Sequence, residues 1–517
     1  MNILSGNGAL KLQSTGDPFT DQFALIGQYR RKRLFSDVAK DMDILWNFNP
    51  LKAVQLTFYM RAITRNVEHQ DMESKIIGQG LKHESLLRMI WISIKDPTIF
   101  YENLPLFISI GCWRDIIQMM SLDFQGVTTD YDWTQNGWDH RVLNWNRLTN
   151  FILAGLENPK TSQLVKKYLP TIKAKSKIHT PETQADTIIG KYIAFRLSCD
   201  YKQYRLLKSS GTAHQWQQQI SRSDFNINFS SVHGRALSLL VSGKFLQNHN
   251  LESAYEEWIL KQPIAKFTGY VYELFKGLSK DSPNYKKLTI DKQFENLIKS
   301  SKPKSSFLVV RDTSSSMRSR VPGILVSSND IARAMALYFS YFLEGPFSSG
   351  YLEFASEVKL QQWSGNTPSE KYLNDEAEAF GSTNFMGVAD FFIKMRKTTP
   401  LNLFPKGILC LSDGEFDAIE GNNIPNFEAF KEKLRKAGFP KDYIDNFKIV
   451  LWDIPNRFYS QEIRPKFESK APNFFYMSGF DPAGVSFLFG TEAKAPKTAK
   501  ELFEAAMDQE LLKLITI

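Results

Sequence analysis

The sequence predicts two kinds of domain in one chain: an all-α array of short helices at 18–300, and an α/β domain with a doubly wound parallel sheet at 301–517. Two observations support this prediction. Before residue 300, apolar residues recur at helical spacing and no strand-like segment interrupts them. After it, strand-like apolar segments alternate with helical segments of about 10–15 residues. Residues 1–17 are expected to form an N-terminal arm.

The helical region alternates apolar and polar residues with the period of an amphipathic helix. Its segments include FALIGQYRRKRLF, LKAVQLTFYMRAI, HESLLRMIWISI, RLTNFILAGL, TIIGKYIAFRL and SAYEEWIL. Short helices in such a series bury their apolar faces by stacking in pairs. A polar segment, KSSKPKSS at 299–306, separates this region from the next.

The C-terminal region alternates strands with helices. The predicted strands are SFLVVRD, GYLEFA, KGILCLSD, FKIVLWDI and NFFYMSGF, and the predicted helices are DIARAMALYFSYFLE, FMGVADFFIKMRK, NFEAFKEKLRKAG and a last helix from about Thr498. This alternation is typical of a parallel sheet covered by helices on both faces. Functional residues of such sheets lie at the carboxyl ends of the strands.

The composition is that of a folded protein from a reducing compartment. The 517 residues are 43% hydrophobic, which is enough for two or three domains with large cores. Three cysteines without CxxC spacing argue against a disulfide framework and a thiolate zinc site. The first residues lack the pattern of a secretory signal, and no apolar run reaches the roughly 18 residues of a membrane helix. We therefore expect a soluble, cytoplasmic and monomeric protein.

A divalent-cation site is predicted where the first strand of the α/β domain ends. Asp312, Ser314 and Ser316 have DxSxS spacing, so one carboxylate and two hydroxyls of one loop can converge. Thr383 in GSTNF precedes a helix, and Asp413 in LSDGEFD ends another strand, so the fold would bring both to the same edge. Oxygen ligands of this kind suit Mg²⁺, Mn²⁺ or Ca²⁺. The alternative is a polar loop whose serine and threonine cap helices.

A nucleic-acid interface is predicted in the helical region because the positive charge is concentrated there. The net charge is +9. The segment from Lys160 to Lys244 contains fourteen Lys and Arg residues but only four acidic residues. These cations alternate with tyrosines, a mixture suited to phosphate contacts and base stacking. The candidate RNA-binding residues are Lys166, Lys167, Lys173, Lys175, Lys177, Lys191, Arg196, Lys202, Arg205, Lys208 and Arg235. The alternative is a set of ordinary solvated helix faces.

The motif VVRDTSSSM, followed by GSTNF and LSDGEFD, resembles the metal-ion-dependent adhesion site (MIDAS) of von Willebrand A domains. The linear order is similar to that of the Ro autoantigen family, in which a TROVE module precedes such a domain; PIAKFTGYVYELFKG and GFD support the resemblance. The resemblance implies a HEAT-like helical module, closed into a ring, that holds small noncoding or misfolded RNA. It also implies a metal, most simply Mg²⁺, bound by the hydroxyls of Ser314, Ser316 and Thr383, with Asp312 and Asp413 acting directly or through water.

Catalytic signatures are missing from the sequence. It contains no GxxxxGK[ST], HExxH or GxSxG, and Ser314 stands where a DxDxT phosphatase loop has its second Asp. We expect a non-enzymatic ribonucleoprotein component that binds small structured or misfolded RNA. The alternatives are a protein-interaction scaffold or particle component whose cation site docks an acidic partner, and a metal-dependent hydrolase. Arg311, next to Asp312, would weaken metal binding if its side chain faced the site, and the Trp-rich segment 123–149 has no assigned role.

Overall fold

The computed structural model describes most of the chain. Outside the described residues lie 1, 5–9, 13, 31–32, 131–141, 212–218, 220–226, 233, 300–305, 322–323, 325, 349, 378–379, 415, 418–425, 455–470 and 489–494, and for 2–4, 10–12, 30 and 235 only the backbone is described. Much of the Trp-rich segment and most of the KSSKPKSS segment therefore lie outside the described residues. The same holds for the side chain of the candidate Arg235.

Helices predominate before residue 300, and strands and helices alternate after it. The helices are α1 (Pro18–Ala24), α2 (Phe35–Phe48), α3 (Pro50–Arg61), α4 (Lys82–Lys95), α5 (Pro97–Ile110), α6 (Arg114–Phe124), α7 (Trp145–Glu157), α8 (Ser162–Tyr168), α9 (Pro181–Arg196), α10 (Tyr201–Ser209), α11 (Arg235–Ser242), α12 (Phe245–Asn248), α13 (Glu252–Lys261), α14 (Val271–Phe275), α15 (Asn284–Lys299), α16 (Ser328–Ser340), α17 (Pro368–Asn374), α18 (Met386–Met395), α19 (Asn426–Lys436), α20 (Lys441–Asn446), α21 (Ala499–Met507) and α22 (Glu510–Lys513). The strands are β1 (Asn2–Leu4), β2 (Leu10–Leu12), β3 (Ile63–His69), β4 (Met72–Gln79), β5 (Phe307–Asp312), β6 (Gly350–Phe354), β7 (Val358–Gln362), β8 (Gly407–Ser412), β9 (Lys448–Asp453) and β10 (Phe474–Ser478).

The chain divides into two compact units, each built from two separate segments. The helical unit comprises Lys32–Val232 and Glu510–Ile517, and the sheet unit comprises Met1–Arg31 and His233–Gln509. These units differ from the predicted segments, whose boundary lay between residues 300 and 301. One physical reason is that α14 packs on the sheet unit: the ring of Phe275 stacks on that of Tyr372, with centroids 4.2 Å apart.

Several helices of the helical unit start at residues that satisfy their first backbone N–H groups. Asp96 accepts hydrogen bonds from the N–H groups of Thr98 and Ile99, and Pro97 begins α5. Thr180 forms a capping box with Thr183, and Pro181 begins α9. A proline in the first turn loses no hydrogen bond, because that N–H has no partner inside the helix. The sequence therefore marks the start of these helices clearly.

The prediction of an uninterrupted all-α array is wrong at residues 63–79, where β3 and β4 form an antiparallel hairpin. The turn residues Gln70 and Asp71 both have positive φ, 48° and 62°. Two-residue hairpin turns need this backbone, but glycine and asparagine usually supply it. The missing Asn-Gly or Asp-Gly signal explains why the hairpin was not predicted.

The sheet unit contains a six-stranded sheet in the order β10-β9-β8-β5-β6-β7. β10, β9, β8, β5 and β6 run parallel, and β7 pairs antiparallel with β6. The predicted parallel sheet is therefore mixed at one edge. Every residue of the central strands β5 and β8 is buried, as expected for strands covered on both faces.

Alternate residues of β5 face opposite sides of this sheet. Leu308 and Val310 belong to an apolar core with phenylalanines of α18 and α19, such as Phe392 and Phe430. Arg311 faces the other side, where it contacts Asn329 of α16. Because side chains alternate along a strand, Asp312 shares the face of Val310 rather than that of Arg311.

The N-terminal segment is part of the sheet unit. Phe19, Phe23 and Ala24 of α1 are buried. The Ser478 hydroxyl at the end of β10 donates to the carbonyl of Ala24 at 2.7 Å and accepts from the N–H of Gly27 at 2.8 Å. Residues 18–30 therefore pack against the sheet. This differs from the sequence-based prediction, in which the helical array begins at residue 18.

Among the described residues, no helix is both long enough and apolar enough to cross a bilayer.

Candidate metal centre and nucleic-acid interface

The predicted cation site lies at the carboxyl ends of two neighbouring parallel strands. Asp312 is the last residue of β5, and Ser412 is the last residue of β8. The Ser412 hydroxyl donates to Oδ2 of Asp312 at 2.5 Å, and the backbone N–H of Ser314 donates to Oδ1 at 2.8 Å. The hydroxyl oxygens of Ser314 and Ser316 lie 3.1 Å apart. One carboxylate and two adjacent hydroxyls are thus held in a single loop.

Backbone hydrogen bonds join the loop of Thr383 to this loop. The N–H and hydroxyl of Ser315 donate to the carbonyl of Gly381 at 3.0 and 2.8 Å, and the N–H of Phe380 donates to the carbonyl of Thr313 at 2.7 Å. Gly381 has a φ of +85°, and a Cβ there would lie 2.4 Å from the hydroxyl of Ser356, so no other residue fits without strain. Glycine therefore allows the two loops to approach.

The segment that carries Asp413 completes the arrangement. The N–H of Asp417 donates to the carbonyl of Thr383 at 3.1 Å. Asp312, Ser314, Thr383 and Asp413 are all at least 99% buried. The structure therefore assembles four of the five predicted ligands in buried positions, with Ser316, part exposed, at their border.

Two carboxylates lie close together at this site. Burial, and then the neighbouring carboxylate of Asp413, raise the pKa of Asp312 above its usual value. A divalent cation would relieve both effects, because it replaces lost solvation and neutralises the repulsion. Among the described residues no group of three or more His, Cys, Asp or Glu is placed to hold a metal. Metal binding here would therefore depend on the hydroxyl oxygens, and two carboxylates with three hydroxyls form a donor set that fits Mg²⁺.

Arg311 points away from the cation site. Its guanidinium pairs with Asp375 at 2.5 Å and donates to the Tyr351 hydroxyl at 3.1 Å and to Asn329 at 2.8 Å. Its side chain is fully buried on the opposite face of the sheet. The cation next to Asp312 in the sequence is thus neutralised elsewhere, and the sequence-based concern about Arg311 does not apply.

The predicted RNA-binding cations lie on α8, on α9, on α10 and in the segment between α8 and α9. Some of them are held inside the unit: Arg196 donates to Asn146 at 2.5 Å and to Asn150 at 2.6 Å, and Lys208 donates to the carbonyl of Leu169. Burial lowers the pKa of Lys208. These two cations are less suited to phosphate than their sequence positions suggest.

Other predicted cations remain exposed. Lys175, Lys177, Lys191, Lys202 and Arg205 are exposed, and Lys166, Lys167 and Lys173 are partly buried. In the described part of the chain, the five exposed residues form no ion pair with an acidic residue. They are the cations most available to an anionic ligand.

Apolar side chains beside these cations were not predicted as functional. Phe195 is 77% exposed, Leu206 is 60% exposed and Tyr201 is 55% exposed. The sequence signal was available: Lys191 and Phe195, like Tyr201 and Arg205, are four residues apart on a helix and so share a face. Arg114, which lies close enough to Asp186 and Lys208 to affect their pKa values, was also missed.

The chain was compared with known proteins. Neither the comparison with protein families nor that with curated proteins finds a match. Among solved structures, a crystal structure of the Deinococcus radiodurans RO (RSR) protein is similar, with 14% identity over 82% of this chain and 87% of that chain and a TM-score of 0.39.

Proposed function

We propose that this chain is a non-enzymatic RNA-binding protein of the Ro type. In this proposal the exposed face of α9 and α10 binds a single-stranded part of a small structured or misfolded RNA, and the sheet unit carries a divalent-cation adhesion site. The observation that carries the proposal is the coincidence of exposed rings with unneutralised cations on α9 and α10. Stacking on rings and pairing of phosphates with cations are the two interactions that single-stranded nucleic acid needs.

The geometry of α9 and α10 supports this proposal. Lys191 and Phe195 share one face of α9, and Tyr201 and Arg205 share one face of α10. These two helices pack against each other, since Tyr204 of α10 is buried and its hydroxyl lies 3.5 Å from the position of a Cβ on Gly190. The exposed rings and cations therefore lie on one pair of packed helices.

A surface that bound only by charge would not need exposed rings. An exposed phenylalanine costs solubility and contributes little to folding, because most of its surface stays in water. Base stacking gives such a ring a function that a lysine cannot perform. This argument favours single strands over duplex RNA, whose bases are already stacked.

The cation site is the second part of the proposal. Asp312 and Asp413 with the hydroxyls of Ser314, Ser316 and Thr383 would hold Mg²⁺ or a similar ion. With only two carboxylates among its ligands, the bound ion would still attract a further anion. A carboxylate of an acidic protein partner would then complete its coordination shell. Within this arrangement the ion serves attachment, and no side chain is assigned to a chemical step.

A scaffold protein that binds no RNA is the second candidate, favoured by the cation site alone. RNA binding separates the candidates. We expect a fluorescent single-stranded RNA to bind with an affinity that falls as salt rises, because bound cations release counterions from the phosphates. Reversing Lys191, Lys202 and Arg205 to Glu removes up to three such contacts. It should reduce the magnitude of the negative slope of log affinity against log salt by about 2.

A matched control reverses three exposed lysines of the sheet unit, Lys394, Lys397 and Lys436. Both triple variants lower the net charge from +9 by six, so they differ only in position. Wild-type binding by the control and loss by the first variant support the proposal. Equal binding by all three proteins, or no RNA binding by the wild type, contradicts it.

A further inference from the structure

A cavity of about 870 Å³ lies inside the helical unit, outside the face just described. It is bordered by the β3–β4 hairpin, by residues of α5, α7 and α8, and by Trp113 between α5 and α6. Its lining includes Arg65, His69, Phe151 and Tyr168. Its volume lies in the range of small-molecule sites, roughly 300–1,000 Å³.

One wall of the cavity is aromatic and fixed in position. The ring of Trp113 lies 5.2 Å from that of Phe151, centroid to centroid, with the planes tilted by 31°. A Cβ on Gly155 would lie 2.3 Å from Trp113, so the indole rests directly on the backbone of α7. A ring held in this way offers a flat surface to a planar ligand at little cost in side-chain entropy.

A cation is anchored at the same cavity. Nη2 of Arg65 donates to the carbonyls of Ser109, Ile110 and Gly111 at 3.0, 3.1 and 2.8 Å, at the C-terminal end of α5. Its Nη1 and Nε form no hydrogen bond to any described residue. The guanidinium is therefore oriented by the protein and still has donors for an anion.

Two further polar side chains at the cavity have atoms that form no hydrogen bond to any described residue. Nδ1 of His69 pairs with the hydroxyl of Ser109 at 2.9 Å, and burial lowers the pKa of His69, so the ring is neutral near pH 7. Within the described residues, neither Nε2 of His69 nor the Tyr168 hydroxyl has a hydrogen-bond partner. A neutral imidazole and a phenol can donate or accept, which suits the edge of a nucleobase.

These features narrow the class of ligand. A purely apolar ligand would leave Arg65, His69 and Tyr168 without partners, and a small inorganic anion would not use the aromatic wall. Lys160 at the border is already paired with Asp71 at 2.9 Å and with Glu68 at 3.3 Å. The anionic group of the ligand is therefore assigned to Arg65.

We propose that this cavity binds one nucleotide, with its base against Trp113, its phosphate at Arg65 and its base edge at His69 and Tyr168. The nucleotide is either free or an unpaired nucleotide of an RNA, since both present the same chemistry. The inference goes beyond the proposed RNA-binding face of α9 and α10 and does not depend on it.

Calorimetric titration of the full chain with AMP, GMP, CMP and UMP tests this proposal. We expect Trp113→Ala to weaken binding by about 5- to 150-fold, the range found for one stacked base. Tyr168→Phe, which keeps the ring, should weaken it by a smaller factor, and its thermal unfolding should match that of the wild type. Phe48→Ala is the control, because Phe48 is an exposed ring of the same unit that lies outside both the cavity and the proposed RNA-binding face.

The nucleotide titrations can support or overturn the proposed site. Loss of binding in the Trp113 variant, reduced binding in the folded Tyr168 variant and wild-type binding in the control support the site. No binding of any of the four nucleotides to the wild type, or equal binding in all variants, overturns it. Displacement of a fluorescent AMP by an RNA with an unpaired 3′ end, but not by a closed RNA dumbbell, would assign the site to RNA. Displacement by free nucleotides alone would assign it to a free nucleotide.

Discussion

Replacing Phe195 by alanine separates base stacking from attraction by charge. The ring is 77% exposed, so only about a quarter of it is buried. A buried phenylalanine covers roughly 150–250 Å², so a quarter corresponds to about 50 Å² and, at about 25 cal/mol per Å², to about 1 kcal/mol of folding stability at most. Loss of one stacked base costs about 1–3 kcal/mol of binding, or about 5- to 150-fold in affinity. RNA binding should therefore suffer more than folding.

Fluorescence anisotropy with a labelled single-stranded RNA at several salt concentrations measures this effect. The affinity of Phe195→Ala should fall while the salt slope stays that of the wild type, because the ring carries no charge. Leu239→Ala is a matched control, since Leu239 is 74% exposed and belongs to the sheet unit. Unchanged affinity, or a loss accompanied by a smaller salt slope, would refute the assignment of stacking to this ring.

Two further predictions concern the sheet unit. Asp312→Ala should abolish Mg²⁺ binding in calorimetry and leave RNA affinity unchanged; unchanged metal affinity would mean that the DTSSS loop only orders the backbone. Asp375→Asn should destabilise the protein by about 3–5 kcal/mol, because it leaves the fully buried Arg311 without its anion. Burial opposes ionisation of Asp375, but Arg311 and Arg333 lower its pKa below the usual value. Its stabilising effect is therefore complete above about pH 4 and is lost as the pH falls through the lowered pKa, so the difference in thermal unfolding between variant and wild type should shrink in acid. A difference that does not change with pH would contradict this role.

The position of the candidate cation site could be predicted because the ends of the strands follow from local sequence. Asp312 ends an apolar run of strand length, and a parallel sheet places such ends at one edge. The contacts of Arg311 could not be predicted in this way. Asp375 is 64 residues away along the chain, and no local pattern connects the two.

The sequence also did not indicate which of the candidate cations are exposed to solvent. Lys202 and Lys208 are equivalent in the sequence, yet Lys202 is exposed and Lys208 binds a carbonyl of the segment after α8. Helical period shows which residues share a face but not which neighbour covers that face. The β3–β4 hairpin was missed for a different reason, since Gln70 and Asp71 adopt a backbone that their residue types rarely signal.

The two-segment composition of both units constrains how the protein can reach its native state on the ribosome. Residues 18–30 are synthesised early, but the strand they pack against, β10, ends at Ser478. The helical unit in turn lacks α22 until residues 510–513 have been synthesised, and the carbonyl of Thr516 accepts a hydrogen bond from Asn103 at 2.7 Å. Neither unit can therefore be completed before these later segments are made. Until then, the apolar side chains of α1 that are buried in the native unit, such as Phe19 and Phe23, lack their native contacts and must be kept from others. A fragment that ends at residue 300 would lack these contacts permanently, because each unit contains segments from both sides of that position.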